Sequence, residues 1–382
     1  MTAPADPACS HRPPCPGCPR FGHPEPPRPV VSRLEQLARD AGAELAPTVV
    51  GPALGFRHRA RLAVRGRARS PKIGIFAAGT HDVVDIPRCP IHHPLVNEVA
   101  RAVKAGLRSL GIPPYHERAG ESVGGVARYL QVVIERSSQT AQIVLIFARE
   151  EREAARALAQ AVEDSLPGRV HSVFLNLNRD PGNAILGAEW EPLSGPEAVC
   201  ESLGGVDVFF PPGAFGQSHL HLADRLVSRV REIVPPGRRV AELYAGAGAI
   251  GLSLLSRAAS VALNERDLAS LRGLELGLAR RPEAEQQRAR IFPGDAAEQL
   301  EMLQQVDCAI VDPPRRGLDP RVADRIAKSS IEDLVYVSCS LSSFARDADV
   351  LAREGLALRG IEPFALFPHT EHVELVARFG RS

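Results

Sequence analysis

The chain of 382 residues is 44% hydrophobic and 24% charged, the composition of an ordinary soluble globular protein with room for two or three domains and a sizeable core. Its 46 basic and 45 acidic residues leave a formal net charge of +1, which on the whole-chain scale argues against holding nucleic acid by bulk electrostatics. The charge is unevenly placed, because residues 1–80 carry 12 basic and 5 acidic side chains and the remainder is net acidic. Only Lys72, Lys104 and Lys328 among the cations are lysines, a bias that genomic base composition accounts for. No stretch reaches the roughly 18–20 apolar residues of a membrane span, and the first residues hold no apolar signal-peptide core. A reducing cytoplasm is therefore expected, where the seven cysteines serve as ligands or reagents rather than disulfides.

In chain order, the first thirty residues hold ten prolines and three cysteines. So many prolines leave too few backbone donors for helix or sheet, and something else has to order the segment. A short helical pattern covers 32–43, with Leu34, Leu37 and Ala38 at helical spacing. From about 48 to 205 the pattern is mixed, with strands expected at 57–64, 73–76, 81–86, 129–134, 141–147 and 172–177 and helices at 94–110 and 149–164. A helix over 220–233 leads into an alternation of helices and short apolar strands at 239–244, 260–264, 289–292, 308–311 and 334–337. Two last strands, 357–367 and 373–379, are close enough to pair directly. Five βα units and a terminal strand pair predict an α/β fold: a C-terminal, mostly parallel, doubly wound (Rossmann-like) sheet. We place the divisions at 1–47 for the cysteine- and proline-rich segment with its short helix, 48–217 for a central α+β domain, and 218–382 for the doubly wound domain.

The strand at 239–244 runs into Gly246-Ala-Gly248-Ala-Ile-Gly251, and Glu265 ends the next strand 19 residues beyond the first glycine. Such a turn lets the backbone approach a ligand, and a carboxylate at the second strand tip can bind ribose hydroxyls. The motif alone fits nicotinamide cofactors, S-adenosylmethionine or a purely structural turn. Asp295, after the third strand, and Asp312, in Asp312-Pro-Pro-Arg315 after the fourth, break the tie. Three acids at successive strand tips face one crevice, and a Pro-Pro exit that aims backbone carbonyls at a substrate suits a methyltransferase better than a dehydrogenase.

The fifth strand ends in Ser338-Cys339-Ser340, which puts Cys339 at the same crevice, while Cys200 and Cys308 read as structural. Phe367-Pro-His-Thr-Glu-His-Val-Glu374 opens the last strand. Its histidines and carboxylates could form a solvated loop or a metal site, but with strand seven beside strand five Glu374 can approach Cys339. A thiolate and a carboxylate flanking a flat ring are what methylation of pyrimidine carbon 5 requires.

These segments, with Phe215-Gly-Gln217, Glu242-Leu-Tyr-Ala-Gly-Ala-Gly248 and Asp312-Pro-Pro-Arg-Arg-Gly317, resemble the RNA 5-methyluridine methyltransferases across nearly the whole chain. The resemblance implies a class I S-adenosylmethionine methyltransferase domain and a central RNA-binding domain. It also implies Cys339 as nucleophile and Glu374 as proton acceptor. Gln217, Tyr244, Gly246, Gly248, Glu265, Asp295 and Asp312 become positions facing S-adenosylmethionine or uracil, and because the base must be flipped out of its stack we take Phe215 as the candidate to stack on it. The chain departs from the family where a catalytic Cys usually precedes Asn and here precedes Ser340. It departs again where the glycine motif usually begins Asp-Leu-Phe/Tyr-Cys-Gly and here begins Glu242-Leu-Tyr-Ala-Gly, and where the family Gln leads through one residue to Asn but Gln217 leads to Ser218-His219.

Cys9, Cys15 and Cys18 are followed seventy residues later by Cys89. Four thiols so arranged suit zinc or an iron–sulfur cluster, and spacing does not separate the two. The resemblance implies a [4Fe–4S] cluster, since family members carry one on this spacing and just after a segment like Val84-Asp85-Ile86-Pro87.

Arg57, Arg59 and Arg61, then Arg65, Arg67 and Arg69, are all odd-numbered, and no acidic residue falls between 57 and 72. Alternate residues of a strand share a face, so each triplet reads either as a guanidinium row for RNA or as a solvated strand face. Members with a separate N-terminal RNA-binding barrel exist, and none is expected ahead of Cys9. That compact form favours ribosomal RNA (23S) over transfer RNA, bound by a monomer with no membrane partner. The rivals are an RNA 5-methylcytosine methyltransferase, which would need a Cys after the fourth-strand Asp-Pro, and a non-catalytic RNA-binding protein on the same fold.

Overall fold

The computed structural model describes residues 9–118 and 121–381. Among the described residues there are two compact units, one from 9–22 and 52–201, the other from 23–51 and 202–381. Among the described residues no helix is long and apolar enough to cross a membrane.

The first unit is built on a seven-stranded sheet in the order Glu189–Ser194, Val170–Leu177, Thr140–Phe147, Ala127–Glu135, Arg59–Arg67, Ser70–Phe76 and Val83–Asp85. All neighbours are antiparallel except Thr140–Phe147 and Val170–Leu177, which are joined by a helical crossover and run parallel. Ala127–Glu135, at the centre of the sheet, is buried along its whole length, Arg128, Gln131 and Glu135 included. Helices Pro94–Ser109 and Arg152–Ser165 cover one face with Leu95, Val99, Val103, Leu107, Leu158 and Val162. Gly106 lets the two helices approach, because a Cβ there would lie 2.6 Å from Leu158. The edge strand Glu189–Ser194 was not legible in the sequence, since it is mostly polar and carries Pro192 at a register shift, a pattern only an edge tolerates.

The second unit carries an eight-stranded sheet in the order Glu44–Leu45, Leu356–Phe364, Glu374–Arg381, Asp333–Ser338, Cys308–Val311, Arg239–Leu243, Ser260–Glu265 and Ala289–Pro293. Glu374–Arg381 is antiparallel to both neighbours and the other pairs are parallel. This is the expected doubly wound sheet, with the last two strands paired directly.

The short N-terminal helix belongs to this second unit rather than to the cysteine-rich segment before it. It runs from Arg28 to Ala41, with Pro29 in its first turn and Gly42 (φ +63°) closing its end. Leu34 and Ala38 are buried against Leu356, Leu358 and Ile361, and Glu44–Leu45 then adds an edge strand beside Gly360 and Ile361. Leu34→Ala in the full chain is expected to cost about 2–4 kcal/mol of stability. Urea unfolding that gave a loss near zero would place the helix outside the core.

Candidate active site

The carboxyl ends of the parallel strands carry the candidate residues. After Arg239–Leu243 the chain enters left-handed backbone at Tyr244 (φ +63°), Gly246 (φ +57°) and Gly248 (φ +85°) before helix Ala249–Leu254. The glycines serve different ends. A Cβ on Gly246 would meet nothing within 4 Å, so the turn is open where a ligand would approach. One on Gly251 would collide with Leu263 and Glu242, so that glycine seats the helix on the sheet.

Glu265 folds back on the turn, accepting Gly246 N–H on Oε2 at 2.8 Å and the N–H groups of Arg266 and Asp267 on Oε1 at 2.8 and 2.7 Å. Of roughly four acceptor positions on a carboxylate, these leave about one, on Oε2, for a ligand hydroxyl. Asp295 caps the next turn through Ala297 N–H at 3.0 Å and pairs with Arg266 at 3.3 Å. Asn264, which sequence reasoning passed over, ties the second and third strand ends together by donating to the carbonyls of Phe292 and Gly294 at 2.9 Å each. Tyr244 is half-buried, hydrogen-bonded to the backbone of Asp319, and its phenol is pushed up by burial. Gln217 is half-buried, two residues before the N-cap His219 of helix Leu220–Ile233, and Phe215 is 64% exposed.

Cys339 and Glu374 come together through the sheet register. Ser338 pairs with Leu375 across antiparallel strands, so one further step sets Cys339 opposite Glu374. The strand-to-helix turn at Cys339 is held by Ser338 and Ser340, with Ser340 N–H donating to Ser338 Oγ at 3.2 Å. Ser340 caps helix Leu341–Arg353 by accepting Ser343 N–H, so the residue that departs from the family pattern performs a local structural task.

The electrostatics of this edge are dominated by withdrawn acids. Glu374 is 1% exposed with Oε2 unpartnered, and burial, then Asp312, hold its carboxyl well above the usual range against the pull of Arg315. Asp312 is pushed up to about 7 by burial and by Glu265. Glu242 lies under the glycine turn, 2% exposed, with one oxygen unpartnered and its carboxyl raised to about 8 by burial. Cys339 is half-buried, and burial, Glu374 and Asp312 all raise its thiol, with Arg315 opposing. The surroundings of Cys339 therefore favour the thiol over the thiolate. Cys308 is fully buried in its strand, as expected.

A second group lies in the first unit. Cys9, Cys15, Cys18 and Cys89 line one cavity of about 70 Å³ with Arg57, His92 and Ile75. Cys18 is raised to about 11 by burial and by the other three cysteines, so the four sulfurs are near enough to feel one another. Among the described residues no three His, Cys, Asp or Glu side chains are placed to hold a single metal ion. The donor set of four thiols fits the cluster the resemblance implies, in that no carboxylate lines the cavity and a guanidinium does.

That guanidinium corrects the expected arginine row. Arg57 precedes the strand and turns to the cysteines, and Arg59 is half-buried with its guanidinium lowered to about 9 by burial and by Arg61. Arg61 alone of the three is exposed, donating to Gln131 at 2.7 Å.

No protein-family model matches the chain. An uncharacterized RNA methyltransferase of Protochlamydia amoebophila is 33% identical over 383 residues, covering 98% of this chain and 97% of its own. One from Geobacter sulfurreducens is 34% identical, over 98% of this chain and 77% of its own. Among solved structures, the Pyrococcus abyssi tRNA (uracil-54, C5)-methyltransferase in complex with S-adenosyl-L-homocysteine superposes with a TM-score of 0.77 at 24% identity, over 96% of this chain and 84% of its own.

The buried carboxyl of Glu242 makes stability pH-dependent in a definite direction. Its folded value lies above the unfolded one, so its contribution is complete below about pH 4 and is lost as pH rises through about 8. Glu242→Gln cannot ionise. Its Tm is expected to gain on wild type between pH 5 and 8.5, as read by thermal unfolding in matched buffers, and a constant difference would contradict the burial.

Proposed function

The chain belongs to the RNA methyltransferases, and on that premise we propose that it methylates carbon 5 of a uridine in RNA through a covalent adduct of Cys339. The observation that carries the reading is the opposition of Cys339 and Glu374 at the ends of adjacent antiparallel strands, with Asp312 beside them. The fold shared with the Pyrococcus abyssi tRNA (uracil-54, C5)-methyltransferase is in keeping with it.

S-adenosylmethionine, when bound, supplies an electrophilic methyl group. The open face at Gly246 and the remaining acceptor of Glu265 support placing it over the glycine turn, with Gly248, Tyr244, Asp295, Asp312 and Gln217 around it. Carbon 5 of uracil is a poor nucleophile, so Cys339 has to act first. As the base docks, Cys339 and Glu374 each release a proton to solvent, and addition of the thiolate to carbon 6 makes the ring an enolate whose carbon 5 can take the methyl group. The Glu374 carboxylate then removes the carbon-5 proton, and elimination frees the thiolate, which takes a proton back from solvent. The raised thiol fits a nucleophile that ionises only with the base in place, which limits side reactions of a free thiolate. A stacked uridine cannot offer both faces, so it must leave the stack at a cost of about a few kcal/mol, and exposed Phe215 is available to stack on it.

The proposed RNA is ribosomal, with transfer RNA as the second reading because the Pyrococcus abyssi protein acts on tRNA. Arg61, with Arg59 behind it, is the proposed phosphate contact in the first unit. Cys339→Ala is expected to abolish transfer of radiolabelled methyl to total RNA, and Glu374→Gln to accumulate a protein–RNA adduct that survives denaturing gels. Methylation by Cys339→Ala near the wild-type rate would end the mechanism.

We propose further that Cys9, Cys15, Cys18 and Cys89 hold a [4Fe–4S] cluster that staples the proline-rich segment to the first unit. Anaerobically purified protein should contain about four iron atoms per chain with broad visible absorption, and Cys89→Ala should lose both. Stoichiometric zinc in their place would reassign the site.

A further inference from the structure

Residues 312–318 leave the fourth parallel strand next to the strand that ends in Cys339. Pro313 and Pro314 stiffen the first half of this loop. The second half is gripped by a side chain for which the chemistry above has no use. Asp347, on helix Leu341–Arg353, is 3% exposed. Its Oδ2 accepts Leu318 N–H at 2.8 Å and the buried Tyr336 hydroxyl at 2.7 Å. Its Oδ1 accepts Arg346 Nε at 3.0 Å and Nη2 at 2.7 Å, and that Nη2 also donates to the Arg316 carbonyl at 2.7 Å. Gly317 (φ +86°) makes room for the clasp, since a Cβ there would run into Arg346 and stand 2.5 Å from Asp347 Oδ2. One carboxylate thus joins the loop, the Cys339 strand and the helix that follows Cys339.

The loop it holds carries two charges of opposite effect. Cys339 is faced by Glu374 from the last strand and by Asp312 and Arg315 from the loop, and Glu374 is faced by the same Asp312 and Arg315. Arg315 is the cation acting on both reacting groups. A loop free to shift would change the balance between Asp312 and Arg315 at the sulfur, because charge interactions at this edge vary steeply with distance.

We propose that Asp347 is a positioning residue for Cys339, clasping residues 312–318 so that Arg315 stands beside the thiol and offsets its two carboxylate neighbours. The bearing on methyl transfer rests on Cys339 as the nucleophile, but the placement is measurable with neither RNA nor methyl donor.

The experiment is the pH profile of Cys339 alkylation by iodoacetamide, read by mass spectrometry of its peptide, together with Tm, in wild type, Arg315→Gln, Asp347→Asn, Asp347→Ala and the double variant Arg315→Gln/Asp347→Ala. Arg315→Gln should move the midpoint up by about one pH unit, the effect of losing one nearby opposite charge. Asp347→Ala should move it the same way, and Asp347→Asn, which keeps an acceptor but loses the Arg346 charge pair, by less. The double variant should move no further than Arg315→Gln alone, since both act through one guanidinium. If the Asp347 variants lower Tm yet keep the wild-type profile, Asp347 is only structural and the proposal fails. It fails equally if Arg315→Gln leaves the profile in place. A shifted profile in a protein that methylates no RNA would uphold the clasp while removing the proposed reaction.

Discussion

Everything at the candidate site depends on one strand running the wrong way. A sheet made only of βα units would have parallel neighbours throughout, and the carboxyl end of each strand would meet a helix. Here the last strand, Glu374–Arg381, inserts antiparallel between Asp333–Ser338 and Leu356–Phe364. Its amino end therefore lies at the edge where the parallel strands finish, and its first residue meets the residue after Ser338. Strand register has a period of two, so a slip of one residue would turn Glu374 to the opposite face of the sheet. The register is secured by Leu375, Ala377 and Phe379, which share one face in the core, because a one-residue slip would put the partly exposed Arg378 on that face.

Bringing that edge together concentrates acid where water is scarce. Glu242, Asp312 and Glu374 are pushed toward the protonated form behind and beside the glycine turn, Glu265 adding its charge at Glu242 and Asp312. Glu265 itself receives three backbone N–H groups, the donor-rich environment that a carboxylate needs when partly withdrawn from solvent. The difference sorts the acids by task. A carboxylate satisfied by its own backbone is a fixed acceptor, whereas one with an unpartnered buried oxygen, such as Glu374, is poised to exchange a proton with whatever enters.

The sequence was legible where a residue's task is set by its neighbours in the chain. The strand–glycine–helix unit, the acids at strand tips and the terminal strand pair follow from periodicity and turn chemistry, and helix Leu220–Ile233 was bounded to the residue. What stayed hidden depends on partners far along the chain. Asp347 sits on a helix whose pattern places it on the inner side, yet its partners Leu318 and Tyr336 are 29 and 11 residues away. The edge strand Glu44–Leu45 is too short to carry an alternation, and it exists because Leu356–Phe364 leaves donors and acceptors unpaired at the rim. Glu242 stood in the sequence only as a departure from the family's glycine motif, although its burial and unpartnered oxygen put it in the same state as Glu374.

The arginines show why a charge count misjudges such a protein. The surplus in the first eighty residues suggests an electrostatic footprint for RNA, but several of those charges are spent internally. Arg57 turns to the cysteine cavity, where burial lowers its guanidinium against the opposing pull of Cys89 and Cys18 and where it would offset a group of thiolates. Arg65 is buried with its guanidinium 4.9–5.4 Å from the rings of Phe76, Tyr115 and Tyr129, beside Arg128, which stacks on the same two tyrosines. Arg128 in turn donates to the carbonyls of Asn178, Asp180 and Gly182, so its charge organises a loop instead of meeting solvent. A planar, permanently charged guanidinium can do this where lysine could not, since it stacks and forks at once. Eight of the twelve cations in that stretch, Arg61, Arg67, Arg69 and Lys72 among them, stay exposed, so this internal use thins the surplus without removing it. With a net charge of only +1 over the whole chain, RNA recognition on the proposed reading rests more on a few placed cations and the capture of one base than on a broad positive field.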